Sequence, residues 1–109
     1  MLESKLLSSL FLWGDNMLIR VRFFGDMKNY LKKSQMTIEI PHGSTIREFI
    51  FELSENIDVN LLDKFVDADE VRSGIRILVN GRNISHLQGL ETVLEDRDLV
   101  SILPVAGGG

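Results

Sequence analysis

The carboxylate of the last residue, Gly109, is the group in this chain best placed to do chemistry. The final seven residues run from Leu103 to Gly109 and end in three consecutive glycines. Glycine weakens the interior of a helix or strand because it loses the most backbone freedom on ordering, and Pro104 marks where sheet pairing should stop. Such a terminus can thread a channel too narrow for a Cβ atom, and it presents one reactive group. The ordinary alternative is a frayed terminus or a linker remnant.

Other reactive groups are scarce in the sequence. The chain has no cysteine, which excludes disulfides, thiolate metal sites and a cysteine nucleophile, so any sulfur must come from another molecule. His42 and His86 lie far apart without ligand spacing around them, and both fall in predicted turns. The acidic run at 67–70 is typical of a solvated surface loop rather than a metal site. We therefore expect the chain to bind no metal and no cofactor of its own.

Length and charge limit the class of partner. At 109 residues and 44% hydrophobic content, the chain predicts one small domain with a modest core. The formal net charge is -4 and no block of Lys and Arg occurs, which argues against nucleic acid or an anionic membrane as the main partner. An acidic body suits a basic protein surface instead.

Residues 1–16 differ from the rest of the chain. Apolar residues recur there at helical spacing, namely Leu2, Leu6, Leu7, Leu10 and Phe11. A signal peptide is the alternative, but Glu3 lies in the would-be basic region and no Ala-x-Ala pattern follows. The run is also too short to span a bilayer. We interpret residues 1–16 as an extension outside the fold, frayed or loosely helical.

The elements that must position the tail can be located from periodicity and turn signals. Apolar runs and alternation predict strands at 18–24, 36–40, 75–79 and 99–103, with a short return strand from 82. Thr45 and Glu48 form a capping box at the start of a helix that ends near Asn56. Its apolar stripe has helical spacing and consists of Ile46, Phe49, Ile50 and Leu53. A second, short helix is predicted at 61–66, and Asn80-Gly81 predicts a hairpin turn.

This order of elements predicts an α+β fold. Two hairpins flanking one helix cannot form a doubly wound sheet, which needs repeated alternation of strand and helix. We expect a mixed, curved sheet of four to five strands packed on one main helix, with the first and last strands adjacent and parallel. This is the β-grasp arrangement of ubiquitin-like proteins. The domain would span residues 17–104, with residues 105–109 as a flexible tail.

Five segments, spread over residues 17–109, resemble one known family. They are Val21–Gly25 in the first strand, Ile77–Arg82 at the hairpin, Leu87–Thr92 before the last turn, Leu94–Val100 into the last strand, and Pro104–Gly108 at the end. In order and spacing they are similar to the MoaD family, the sulfur-carrier subunits of molybdopterin synthase, and to sister carriers of the ThiS type. The family usually ends in Gly-Gly, whereas a third glycine follows here. Either Gly109 is the working terminus, or it is trimmed first so that Gly108 becomes the terminus, or it inactivates the carrier.

The resemblance implies a specific chemistry for the tail. An E1-like adenylyltransferase of the MoeB type would use ATP to adenylate the terminal carboxylate, and a sulfur donor would convert the acyl-adenylate to a thiocarboxylate. The loaded tail would then enter a large synthase subunit of the MoaE type and pass sulfur to a pterin precursor of the molybdenum cofactor. The reacting residues would be Gly109 and Gly108. The chain would be a cytoplasmic, non-catalytic carrier subunit without an active site of its own.

Partner binding needs a surface as well as a tail, because ordering each tail residue on docking costs roughly 1–2 kcal/mol. We predict that this surface lies on the sheet face beside the last strand. The residues assigned to partner binding are Gly107, Ala106, Val105, Pro104, Ile102 and Phe24, with Leu103 as an addition. For Phe24 and Ile102 the alternative is ordinary core packing.

Three other functions remain open at this point. A ubiquitin-like modifier would use the same activated carboxylate, through Gly109 or Gly108, to form bonds with lysines of other proteins. A carrier could also supply sulfur for thiazole (thiamine) synthesis or for transfer-RNA thiolation. Finally, a β-grasp binding domain would use no tail chemistry at all.

Overall fold

The computed structural model of the protein describes residues 16–25, 28, 32 and 34–104. The elements follow each other in the order strand, strand, helix, helix and five further strands. They are β1 (Asn16–Phe23), β2 (Gln35–Pro41), α1 (Ile46–Ile57), α2 (Leu61–Phe65), β3 (Val66–Asp67), β4 (Glu70–Val71), β5 (Ile75–Val79), β6 (Arg82–Asn83) and β7 (Leu99–Pro104). Two short 3-10 turns, Ile84–His86 and Gly89–Glu91, lie between β6 and β7.

Five of these strands form one mixed sheet in the order β2-β1-β7-β5-β6. The first and last strands pair in parallel, with Arg20 opposite Leu99 and Phe23 opposite Ile102. The other pairs in this sheet are antiparallel. The predicted β-grasp fold is therefore confirmed, including the parallel pair at the centre of the sheet.

The core lies between this sheet and α1. Alternation along β1 buries every second residue, from Met17 to Phe23. The apolar stripe of α1 faces these residues, and Phe49 at its middle is fully buried. The capping box is present, since the Glu48 amide donates to Thr45 Oγ1 at 3.2 Å and the Thr45 amide donates to Glu48 Oε1 at 2.9 Å.

Three local features differ from the sequence prediction. The helix α1 continues to Ile57, one residue past Asn56, and ends on Asp58 in the left-handed region (φ 57°). The acidic run predicted as a loop forms a tight hairpin, in which β3 and β4 pair across Ala68 and Asp69 at positive φ. Asn16 belongs to β1 and not to the N-terminal extension.

The remainder of the predicted extension, residues 1–15, and the predicted tail, residues 105–109, lie outside the described residues. Within the described part of the chain, no helix is both long and apolar enough to cross a bilayer.

Candidate functional site

The site is the place where the chain leaves the sheet. The strand β7 ends at Pro104, which lies opposite Ile75 of β5 and is the last described residue. On its other side, Pro104 meets the turn that follows β1. A Cβ atom built on Gly25 would lie 2.7 Å from Pro104 Cγ, and Gly25 itself has a φ of +64°. Glycine is therefore required at residue 25 both by its backbone conformation and by its close approach to Pro104.

A backbone hydrogen bond fixes the same region. The Phe24 amide donates to the Ile102 carbonyl oxygen at 3.2 Å, just beyond the parallel ladder of β1 and β7. Ile102 is in turn paired with Ile77 on β5. The end of β7 is thus held on both sides, by β5 and by the residue that follows β1.

The predicted partner-binding residues do not share one surface. Ile102 is 0% exposed and belongs to the core, whereas Phe24 is 36% exposed. The assignment of Ile102 as a partner contact is therefore wrong, and the alternative of core packing is correct for it. The reason is strand periodicity, because Val100 and Ile102 point toward α1 while Leu103 points away from it. The alternation of apolar residues along β7 is visible in the sequence and already predicts an inward position for Ile102.

Pro104 is exposed at the end of β7, and its assignment to partner binding remains a prediction. The remaining predicted site residues lie outside the described part of the chain. They are the reacting glycines Gly108 and Gly109 and the tail residues Val105, Ala106 and Gly107. Their roles likewise remain predictions.

The sheet also presents an outward surface, on the side remote from α1. We call it the outer sheet face, and we define it by eight residues of β1, β5 and β7 that point away from α1: Leu18, Arg20, Arg22, Arg76, Leu78, Leu99, Ser101 and Leu103. The strand register places Arg22 opposite Ser101 and Arg76 opposite Leu103. Leu18 is 49% exposed, so the face combines apolar side chains with three guanidinium groups.

Phe24 lies beside this face and is tied to it. The Arg22 guanidinium carbon lies 5.6 Å from the centre of the Phe24 ring, a distance at which a cation is attracted to the face of an aromatic ring. Alternation in residues 18–24 already placed Arg20 and Arg22 on one side of β1. The sequence does not predict that Arg76 shares this face with Arg20 and Arg22, since that depends on the order of the strands.

The described residues carry little reactive chemistry of their own. Among them, no three His, Asp or Glu side chains lie close enough together to hold a metal ion. His42 and His86 are both exposed, as expected for turn residues.

Comparison with known proteins gives the class to which this fold and tail belong. The sequence profile of the ThiS family matches residues 21–109, which is most of the chain and includes the glycine terminus. The chain belongs to the ThiS family, whose members share the ubiquitin-like β-grasp fold.

The chain is similar to three individual proteins of known name. Small archaeal modifier protein 3 of Haloferax volcanii is 28% identical over 91 residues, covering 84% of this chain and 98% of the relative. A protein of Archaeoglobus fulgidus, whose name gives sulfur carrier as its provisional role, is 41% identical over 66 residues, covering 60% of this chain and 74% of the relative. The solution structure of small archaeal modifier protein 1 from Methanosarcina acetivorans superposes with a TM-score of 0.69 at 28% identity, over 86% of this chain and 98% of the relative.

These matches confirm the resemblance found in the sequence at the level of the family. The chain is a member of the ubiquitin-like group that contains both sulfur carriers and protein modifiers. The names of the relatives divide between these two roles, so they do not single out a role in molybdenum cofactor synthesis.

Proposed function

We propose that this protein is a sulfur carrier whose C-terminal glycine is converted to a thiocarboxylate. The observation that carries the proposal is a run of three glycines that begins three residues after Pro104, the end of the central strand β7. The end of that strand packs so closely on Gly25 that a Cβ atom at residue 25 would lie 2.7 Å from Pro104 Cγ. A narrow peptide that starts from a fixed point suits delivery of its end group into a partner's active site. Membership of the ThiS family supports the same function.

The chemistry proceeds in two balanced steps. A carboxylate oxygen of the terminal glycine attacks the α-phosphorus of ATP and pyrophosphate leaves, which gives an acyl-adenylate. A sulfide equivalent from a donor then attacks the carbonyl carbon, AMP leaves, and a thiocarboxylate remains. A free carboxylate is a poor electrophile until its oxygen becomes a good leaving group. We assign the binding of ATP to the activating partner, an E1-like adenylyltransferase.

The outer sheet face, together with Phe24, is the proposed docking surface for that partner. Ordering residues 105–109 costs roughly 5–10 kcal/mol at 1–2 kcal/mol per residue. Burial of the exposed parts of Leu18, Phe24 and Leu103 by the partner contributes only about 1 kcal/mol of binding free energy each. Apolar contact alone is thus insufficient, and we expect the partner to place carboxylates against Arg20 and Arg22.

The acceptor of the sulfur is the finer part of the proposal. The sequence resemblance implies a large subunit of the MoaE type, with a pterin precursor of the molybdenum cofactor as the acceptor. The second candidate function is protein modification, in which the activated glycine is joined to a lysine amine. It is favoured by the names of the two modifier relatives, each 28% identical to this chain.

Intact-mass spectrometry tests the proposal. The full chain is incubated with an E1-like adenylyltransferase, ATP and sulfide, and replacement of one oxygen by sulfur should add about 16 Da. Omission of ATP is the control. Variants lacking Gly109, or both Gly108 and Gly109, identify the working terminus. A mass that never changes with an active adenylyltransferase would reject the proposal.

Two further reactions separate the candidate acceptors. Loaded protein mixed with a MoaE-type subunit and the pterin precursor should lose its added sulfur if the molybdenum role is correct. For a modifier, trypsin cuts last after Arg97, so a modified lysine would carry the peptide Asp98–Gly109. Detection of that branched peptide in cell extract, with no transfer to pterin, would favour protein modification.

A further inference from the structure

One aromatic side chain on α1 points away from the core. The apolar stripe of this helix is buried, yet Phe51 is 51% exposed. Since Phe51 follows the buried residues Phe49 and Ile50, its position on the helix directs it to the side remote from the sheet. Half of the Phe51 side chain is therefore exposed to solvent and available for contact.

Phe51 lies at the junction of two open cavities. The larger, of about 690 Å³, lies between α1 and α2, and the smaller, of about 330 Å³, extends toward Pro41 at the end of β2. Both are lined by Arg47, Phe51 and Leu62. We call the continuous depression the helix groove, and its lining otherwise includes Glu48, Glu52, Glu55, Asp58, Val59 and Asp63.

The helix groove is strongly acidic. Five carboxylates line it against one guanidinium, that of Arg47. This guanidinium is already paired, at 3.4 Å from Asp69 and 3.0 Å from Glu91, and neither of these carboxylates lines the groove. The groove therefore has an apolar floor, formed by Phe51 and Leu62, and a rim with a net negative charge.

We propose that the helix groove is a docking site for a basic amphipathic segment of a partner protein. Such a segment places a bulky apolar side chain against Phe51 and Leu62 and directs lysines or arginines to Glu52, Glu55 and Asp58. Charge complementarity favours this occupant, because the rim repels nucleic acid, anionic lipid and acidic peptides.

The position of the groove gives it a separate role from the outer sheet face. It lies on the remote side of α1, whereas the outer sheet face lies on the opposite side of the sheet and carries arginines. The two surfaces therefore select partners of opposite charge and can be occupied together. The charge of the groove is independent of the chemistry of the tail, whereas the choice of a partner protein over a second copy of this chain rests on the proposed function.

A second copy of this chain is the main competing occupant. Its outer sheet face is apolar and basic, so it would also complement the helix groove. That contact would be head-to-tail and would either close a ring or grow into a filament. It would also cover the surface to which we assign the activating partner, which is why a basic segment of another protein is the occupant that we propose.

The test uses the isotope-labelled full chain and a short synthetic peptide with a leucine-tryptophan pair between lysines. A peptide with glutamates in place of the lysines, and one with serines in place of the apolar pair, serve as probe controls. We expect saturable changes in the amide chemical shifts, centred on Phe51, Glu55 and Leu62. Only the peptide that carries both the lysines and the leucine-tryptophan pair should produce them. Added salt should weaken the binding.

Matched variants make the test specific. Phe51→Ala should weaken binding roughly five- to tenfold, because the peptide can then no longer bury the exposed half of the phenyl ring. The double change Glu52→Gln and Glu55→Gln should weaken it about two- to tenfold. Val93→Ala is the control, because Val93 is 53% exposed but does not line the groove. Thermal unfolding of each variant checks that the fold is intact.

Four results would overturn the proposal. Binding that is insensitive to Phe51→Ala would show non-specific charge attraction, and shifts confined to the outer sheet face would place the site elsewhere. Concentration-dependent shifts at Phe51 without peptide would identify a second copy as the occupant. Peptide binding seen only after deletion of residues 1–15 would show that the chain's own N-terminal segment occupies the groove.

Discussion

The contact between Gly25 and Pro104 gives the sharpest prediction about the base of the tail. We expect Gly25→Ala to destabilise the domain in two ways. A non-glycine residue at a φ of +64° costs about 1–2 kcal/mol. In addition, the new Cβ would lie 2.7 Å from Pro104 Cγ, and such overpacking costs about 1–3 kcal/mol. Because the proline ring cannot rotate away, we expect a total of about 2–5 kcal/mol.

Gly89→Ala is a matched control for the backbone part of this cost. Gly89 has a φ of +59°, close to that of Gly25, but a Cβ there would meet nothing within 4 Å. Replacing glycine by alanine also lowers the conformational entropy of the unfolded chain, which stabilises the folded state, and this effect is common to both variants. The difference between them therefore isolates the contact with Pro104, and it should be about 1–3 kcal/mol.

The assay is urea unfolding, with the slope of the transition compared among variants to confirm that the extent of unfolding is unchanged. A third variant closes the cycle. Pro104→Ala removes Cγ, so the double variant Gly25→Ala with Pro104→Ala should be less destabilised than the sum of the single changes by about 1–3 kcal/mol. Equal losses for Gly25→Ala and Gly89→Ala, or strict additivity in the cycle, would refute the role of this contact.

Three further predictions follow from the core, the helix start and the terminus. Phe49→Ala should lower the free energy of unfolding by about 3–5 kcal/mol, because the ring is fully buried, and calorimetry should show a much lower melting temperature; a loss below about 1 kcal/mol would contradict that burial. Thr45→Ala should cost about 1 kcal/mol in urea unfolding by removing the 3.2 Å hydrogen bond to the Glu48 amide, and Thr45→Ser is the control that should retain most of it. Deletion of Gly108 and Gly109 should abolish the mass gain in the loading reaction while the melting temperature stays unchanged, and a large fall in melting temperature would mean that the tail is structural.

Local signals in the sequence were sufficient for most of the fold. Alternation at Ile19 and Val21 fixed the buried face of β1, and the capping box fixed the start of α1. The hairpin turn at Asn80 and Gly81 has positive φ at both residues, 51° and 87°, as their types predict. Each of these signals is short-range, so it needs no knowledge of the tertiary structure.

The errors arose where a signal was weak or a contact was distant. Acidic residues are depleted in strands, which is why the hairpin of β3 and β4 was predicted as a loop. The proximity of Ile102 to the tail favours a surface role, but its phase in β7 places it in the core. The approach of Gly25 to Pro104 joins residues that are remote in sequence, and only the order of the strands brings them together.

The central place of β7 has a consequence for synthesis. A ribosome releases the residues from Leu99 to Pro104 after every other strand of this sheet, yet they form the strand between β1 and β5. Any nascent chain that stops before Leu99 leaves β1 and β5 without their shared neighbour, and the sheet cannot close. The sheet is therefore complete only in molecules in which translation has passed Pro104.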